Sequence, residues 1–161
     1  MSTKHYRIFA GMAGLIIIAD QIVKAIVLKT VPLYHSIPVV PGFFNITHIH
    51  NPGGAFGFLA GNSSNLRFVL FTCASVAAIG IVFYFYAKLP SGYAWLRVAL
   101  TLIFAGAIGN LIDRLRFREV IDFLDFYLGS LHWPAFNIAD SAITIGILIF
   151  IYHILFNKLP A

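Results

Sequence analysis

Four apolar runs constrain what this chain can fold into. The clearest, Phe68 to Ala87, carries no charge and is closed by Arg67 and Lys88. The others run from about Ile8 to Leu28, Trp95 to Ile112 and Ile138 to Phe156. A hydrocarbon core of about 30 Å needs roughly 20 apolar residues per helical crossing, so each run predicts a membrane-spanning helix. Composition agrees, because 161 residues that are 60% hydrophobic and 11% charged are wrong for a water-soluble domain of that length. The expected fold is one mainly α, membrane-embedded domain over residues 1–161. Lys4 and Arg7 before the stretch Ile8 to Ala19 resemble the start of a secretory signal peptide. No small-residue cleavage pattern follows Ala19, and Asp20-Gln21-Ile22-Val23-Lys24 leads on to Leu28, so the segment is expected to be retained as the first span.

The net charge of +5 does not imply nucleic acid, since the eleven Lys and Arg are scattered singly rather than gathered into a patch. Nucleic acid is discarded as a partner. The one cysteine, Cys73, lies inside an uncharged run, which excludes a disulfide framework or a cysteine metal cluster within the chain.

Four spans put both termini on one side of the membrane and the two long connections, 29–65 and 113–137, on the other. Long ordered loops carry function more often than short ones, and here both share a face. Phe43-Phe44-Asn45-Ile46-Thr47-His48-Ile49-His50, rich in aromatic and β-branched residues, predicts a short extended ribbon at the membrane surface. Gly106, Gly109, Ala139, Ser141 and Ala142 would let the third and fourth spans approach closely. Arg97, near the start of the third span, is placed to snorkel. Positive charges are balanced between the two faces, so they do not decide orientation, although Lys4 and Arg7 favour a cytoplasmic N-terminus.

The chain has six acids, Asp20, Asp113, Glu119, Asp122, Asp125 and Asp140, and ionisable groups in or beside spans are costly enough to be functional candidates. The third span ends, and the fourth begins, at the face of the long connections, so Asp122 and Asp140 can meet there. Two carboxylates in a partly dehydrated site do not both ionise easily; one stays protonated while the other is basic. That pair suits amide hydrolysis, the carboxylate activating water and the acid protonating the carbonyl oxygen. The structural alternatives are an interfacial Asp113–Arg114 ion pair, a buried Asp20–Lys24 pair, solvated Asp125 and Glu119, and Asp140 capping the fourth span.

Asp20-Gln21-x-x-Lys24, Asn51-Pro52-Gly53-Gly54-Ala55-Phe56-Gly57, Gly109-Asn110-x-x-Asp113-Arg114, Val120-Ile121-Asp122-Phe123 and Phe136-Asn137-Ile138-Ala139-Asp140-Ser141 resemble, in order, the motifs of bacterial lipoprotein signal peptidase, or signal peptidase II. The resemblance implies a four-helix membrane bundle with a small extracytoplasmic β-sheet and a short surface helix. It implies that Asp122 and Asp140 are the catalytic dyad of an aspartic endopeptidase. Asn51, Asn110, Arg114 and Asn137 would line or brace the site, and Asp20 and Lys24 would support the structure. The implied substrate is a prolipoprotein cut on the N-terminal side of its diacylglyceryl-modified cysteine, in the bacterial inner membrane. The implied orientation has cytoplasmic termini and an extracytoplasmic active site. The chain is expected to act as a monomer among membrane lipids, with water as co-substrate and neither cofactor nor metal. One position departs from the family: Arg118 stands where a turn glycine is usual, which disfavours a left-handed turn and puts Arg118 in reach of lipid headgroups or substrate.

Two other classes compete. A transporter or channel would align its acids along a midplane path, yet Asp20 is the one acid well inside a span. A metallopeptidase would use His48 and His50 with an acid, but the chain has no HExxH string and His132 and His153 add no constellation. Cys73 has no base beside it, and Ser141 is more simply a packing residue.

Overall fold

The computed structural model describes residues 3–53 and 64–156. Four helices, α1 (Thr3–Thr30), α2 (Ser64–Lys88), α3 (Ala94–Phe117) and α4 (Ile138–Leu155), are each long and apolar enough to cross a membrane. Between them lie β1 (Ser36–Val40), β2 (Phe44–Asn51), β3 (Val120–Leu128) and β4 (Leu131–His132), which form one antiparallel sheet in the order β1-β2-β3-β4. The expected ribbon is β2. The short surface helix implied by the resemblance is not among the described residues, and Gly54 to Gly57 lie outside them.

Helix α3 is the hub, packing against all three other helices, and over half of its most apolar stretch is buried against 6% for α2. The side chains of α2 therefore face outward: Val69, Val76, Ile81, Phe83, Tyr84 and Phe85 are all exposed apolar groups that only a hydrocarbon solvent accepts. Helix α1, at about 42 Å, is longer than the hydrocarbon core, so its ends reach the polar layers.

The α3–α4 seam is held by small residues. A methyl group built on Gly106 would overlap the Ala139 carbonyl, and one on Gly146 would sit 2.7 Å from the Ala99 carbonyl. Backbones this close gain dispersion contact along both helices, which is what drives helix association in lipid. The expected role of Gly106, Gly109 and Ala139 is thus found. Arg97 does not snorkel: it is 7% exposed, donates to the carbonyls of Leu89 and Pro90 and lies over the Tyr86 ring, satisfying the end of α2 instead of reaching water.

The sheet caps the bundle where α1 and α3 end and α4 begins. Val27 of α1, Val31 just past its end, Phe123 of β3 and Ile138 of α4 share one apolar cluster with Ile46 of β2. A bulge in β2 sets Thr47 and His48 opposite Phe123, between the pairs Ile46–Leu124 and Ile49–Asp122. The amide N–H groups of Phe123 and Leu124 then both donate to the Phe136 carbonyl, which brings the approach to α4 against β3.

The turn from α3 into β3 overturns the expectation for Arg118. It adopts the left-handed conformation, φ 64° and ψ 4°, with its amide donating to the Arg114 carbonyl at 2.8 Å. A side chain there costs about 1–2 kcal/mol. Its guanidinium donates to Asn65 at 2.9 Å and lies over the Phe68 ring, contacts that offset the strain and fasten the start of α2 to the end of α3.

Gly106→Val should force α3 and α4 apart and lower stability by about 1–3 kcal/mol, the usual cost of overpacking, measurable as an earlier unfolding midpoint in mixed micelles.

Candidate active site

A buried ion triad stands behind the site. The Lys24 ammonium lies 2.8 Å from Asp20 and 2.7 Å from Asp113, and all three side chains are at most 2% exposed. The pairing of Asp113 with Arg114 expected from their adjacency does not occur. Consecutive helical residues diverge by about 100°, which sends Asp113 inward to Lys24 and Arg114 toward α2. Gln21 donates to Asp113 at 2.9 Å and to Asp20 at 3.2 Å. Both acids also accept backbone amides: Asp20 from Ala139 at 3.0 Å and Asp113 from Ile121 at 3.2 Å. The triad thus joins α1, α3, β3 and α4.

Lys24 also donates to Asn110 Oδ1 at 3.3 Å, and Asn110 Nδ2 donates to Asp140 Oδ1 at 2.7 Å. Asn137, fully buried, donates from its amide to Asp122 Oδ1 at 2.8 Å, and more weakly to Asn110 and the Ile121 carbonyl at 3.3 Å. As N-cap of α4 it also forms a capping box: its Oδ1 accepts the Asp140 amide at 2.8 Å, and its own amide reaches Asp140 Oδ2 at 3.3 Å. One asparagine therefore touches both carboxylates. Asn51 Nδ2 donates to the other oxygen of Asp122 at 2.9 Å, while its Oδ1 accepts the Gly53 amide at 2.9 Å. Each carboxyl of the pair accepts two N–H groups.

All the predicted site residues converge. Asp122, 2% exposed, is hydrogen-bonded to Asn51 at the edge of a cavity of about 320 Å³, lined by Asn51, Asn110, Arg114, Asp140 and the stretch Trp133 to Phe136. Arg114 hydrogen-bonds Ser75 at 3.3 Å, lies over Phe71, and is near enough to Asp140 and Asp122 to feel their charge. Burial raises the pKa of Asp122 to about 7; the charge of Asp140 pushes the same way, and the bonds from Asn51 and Asn137 oppose it. A carboxyl poised there can hold a proton at neutral pH or give it up.

The capping role considered for Asp140 is real and does not compete with a place in the pair, because one oxygen meets the cap amide and the other Asn110. Asp125 is not a solvated charge: it is 7% exposed and bonds Asn45 and His132 at 2.8 Å. Gln21, Ser75 and Trp133 had no role predicted. Only Gln21 carried a signal, since it stands within the same motif, directly after Asp20 and three residues before Lys24.

The family described as Signal peptidase (SPase) II matches residues 12–156. The chain belongs to the signal peptidase II family. Similar members include the lipoprotein signal peptidase of Desulforapulum autotrophicum, 54% identical over 99% of this chain and 99% of that protein. The lipoprotein signal peptidase of Syntrophus aciditrophicus is 50% identical over 88% of each chain. The fold is similar to that of a bacterial membrane enzyme solved by the in meso method at 2.3 Å resolution, with TM-score 0.81 and 34% identity over 93% of this chain and 88% of that one. Signal peptidase II membership and four apolar helices make this a multi-pass bacterial membrane protein.

Two outcomes test the site. The folded state holds the Asp122 proton up to about pH 7, whereas an ordinary aspartate releases it near 3.8. The folded form therefore binds the extra proton between those values, and stability falls as pH rises from about 4 through 7. The wild-type melting temperature should drop between about pH 5 and pH 8, and Asp122→Asn should drop less. Lys24→Met, which strands Asp20 and Asp113 without their cation, should cost about 3–5 kcal/mol in the same assay.

Proposed function

We propose that this chain removes signal peptides from prolipoproteins as an aspartic endopeptidase, with Asp122 and Asp140 as its catalytic residues. The observation that carries the reading is the bridge made by Asn137, which holds a carboxyl from a strand beside a carboxyl from a helix end that lines the cavity. The names of the relatives supply the substrate class. The finer cut, on the N-terminal side of a diacylglyceryl-modified cysteine, follows from the motif resemblance.

In this mechanism Asp122 carries the proton shared by the pair at rest, consistent with its raised pKa, and Asp140 is ionised. Asp140 takes a proton from water as the oxygen attacks the scissile carbonyl carbon, and Asp122 donates its proton to the carbonyl oxygen. In the collapse that follows, the carboxylate of Asp122 recovers a proton from the hydroxyl as the carbonyl reforms, and Asp140 delivers its proton to the leaving amine. The pair ends as it began, one proton shared between two carboxyls. Asn51 and Asn137 keep Asp122 aimed, and Asn110 does the same for Asp140. Arg114, on the cavity wall, is placed to hold a substrate carbonyl, and Asp20 and Lys24 brace the helices from behind.

Substrate acyl chains stay in the lipid while the peptide enters the cavity. The dyad faces the extracytoplasmic side of the inner membrane, both termini face the cytoplasm, and the enzyme works as a monomer.

Purified wild type should cleave a diacylglyceryl-modified prolipoprotein in micelles, whereas Asp122→Asn and Asp140→Asn should fold and lose at least about a hundredfold in turnover, the contribution of one general acid or base. Near-normal turnover in either folded variant would overturn the assignment.

A further inference from the structure

His48 and His50 have no part in that chemistry. They lie at the bulge of β2, with ring centroids 5.1 Å apart and their Nε2 atoms 3.1 Å from each other. The other nitrogen of each ring is already committed. His48 Nδ1 lies 2.8 Å from the Val31 carbonyl, which can only accept, so this nitrogen carries hydrogen. His50 Nδ1 lies 3.1 Å from a carboxylate oxygen of Glu119, which when ionised also only accepts. In a neutral imidazole the second nitrogen then presents a lone pair. Two lone pairs face each other across 3.1 Å, an arrangement that repels unless a cation stands between them.

We propose that His48 and His50 form a two-imidazole site for a divalent transition-metal ion of the Zn²⁺ type, separate from the peptidase pair. At Zn–N distances of about 2.0–2.1 Å, nitrogens 3.1 Å apart subtend about 100° at the ion, between the octahedral and tetrahedral angles, so the spacing already suits two adjacent ligands. The outer partners, a backbone carbonyl and a carboxylate, are those that metal-bound imidazoles use to fix tautomer and ring orientation. Imidazole donors select zinc, copper or nickel over magnesium and calcium.

Among the described residues no third His, Cys, Asp or Glu joins the pair, so neither Asp122 nor Asp140 is a ligand and water fills the remaining positions. The His50 side chain is 22% exposed and gives that water its path, while His48 is 6% exposed and anchors the site. An open two-ligand site exchanges its ion readily. The ion would tie β2 to the end of α1 through Val31 and to the start of β3 through Glu119, so it acts as a clamp on the sheet. A proton is the rival occupant, because one proton between the two nitrogens relieves the same repulsion; metal binding therefore releases a proton and weakens on acidification.

The test is calorimetric titration of the full chain, without a histidine tag, with Zn²⁺ at about pH 7.5, paired with melting curves and with Cu²⁺ electron paramagnetic resonance. One ion per chain, two-nitrogen hyperfine structure and a higher melting temperature are expected. His50→Gln should abolish all three, Glu119→Gln should weaken binding about tenfold, and His153→Ala should change nothing. His50→Gln lies at the exposed end of the pair, so it reports even if His48→Ala fails to fold. Binding of Zn²⁺ that survives His50→Gln overturns the proposal. So does a wild-type chain that gains stability on acidification alone and none from Zn²⁺, which would assign the site to a proton.

Discussion

The ammonium of Lys24 sits between two carboxylates, all three side chains buried. Removing three charges from solvent is expensive, and their mutual attraction repays it only when the remaining lone pairs and protons also find partners. Here they do: Gln21 and the Ala139 amide take the carboxylate oxygens that face away from Lys24, the Ile121 amide shares Asp113 Oδ2 with the ammonium, and the third direction of the ammonium meets Asn110. Each of those partners belongs to a different element. The position of Asn110, and through it of Asp140, is consequently referred to α1, although α1 contributes no group to the cavity wall. Stability and the geometry of the proposed catalytic pair share one set of bonds.

The spans were legible because charge-free runs of bilayer length have few other uses. Their ends were less so. Helix α3 continues to Phe117, past the boundary expected at Ile112, because Asp113 reads as a stop signal only while its charge is taken to face water; paired with Lys24 it is an interior residue. The same error made Asp125 a solvated loop charge, when β3 buries it against Asn45 and His132. Long-range partners are invisible to local pattern, and a lone charge in sequence is most often a paired charge in a membrane protein.

That the predicted residues meet was legible for another reason. Asn110, Asn137 and Asp140 lie where α3 nears its end and α4 begins, and Asn51 and Asp122 lie on strands of the two long connections that share that face. What could not be read was the division of labour: Asp140 serves helix and site at once, one oxygen to each. Arg118 teaches the converse, since the intrinsic preference against a left-handed arginine lost to contacts with Asn65 and Phe68 on another helix.

Asp140 lies in the first turn of a helix whose remaining length is apolar, and Asp122 lies on the strand just above it. In the proposed mechanism the reacting groups thus sit at a fixed depth in a sheet of lipid, and a lipidated substrate reaches them by lateral diffusion within a plane. What governs such an encounter is molecules per unit of membrane area. Diluting a micellar reaction with empty detergent, at constant bulk amounts of protein and peptide, would therefore slow it as effectively as withdrawing substrate.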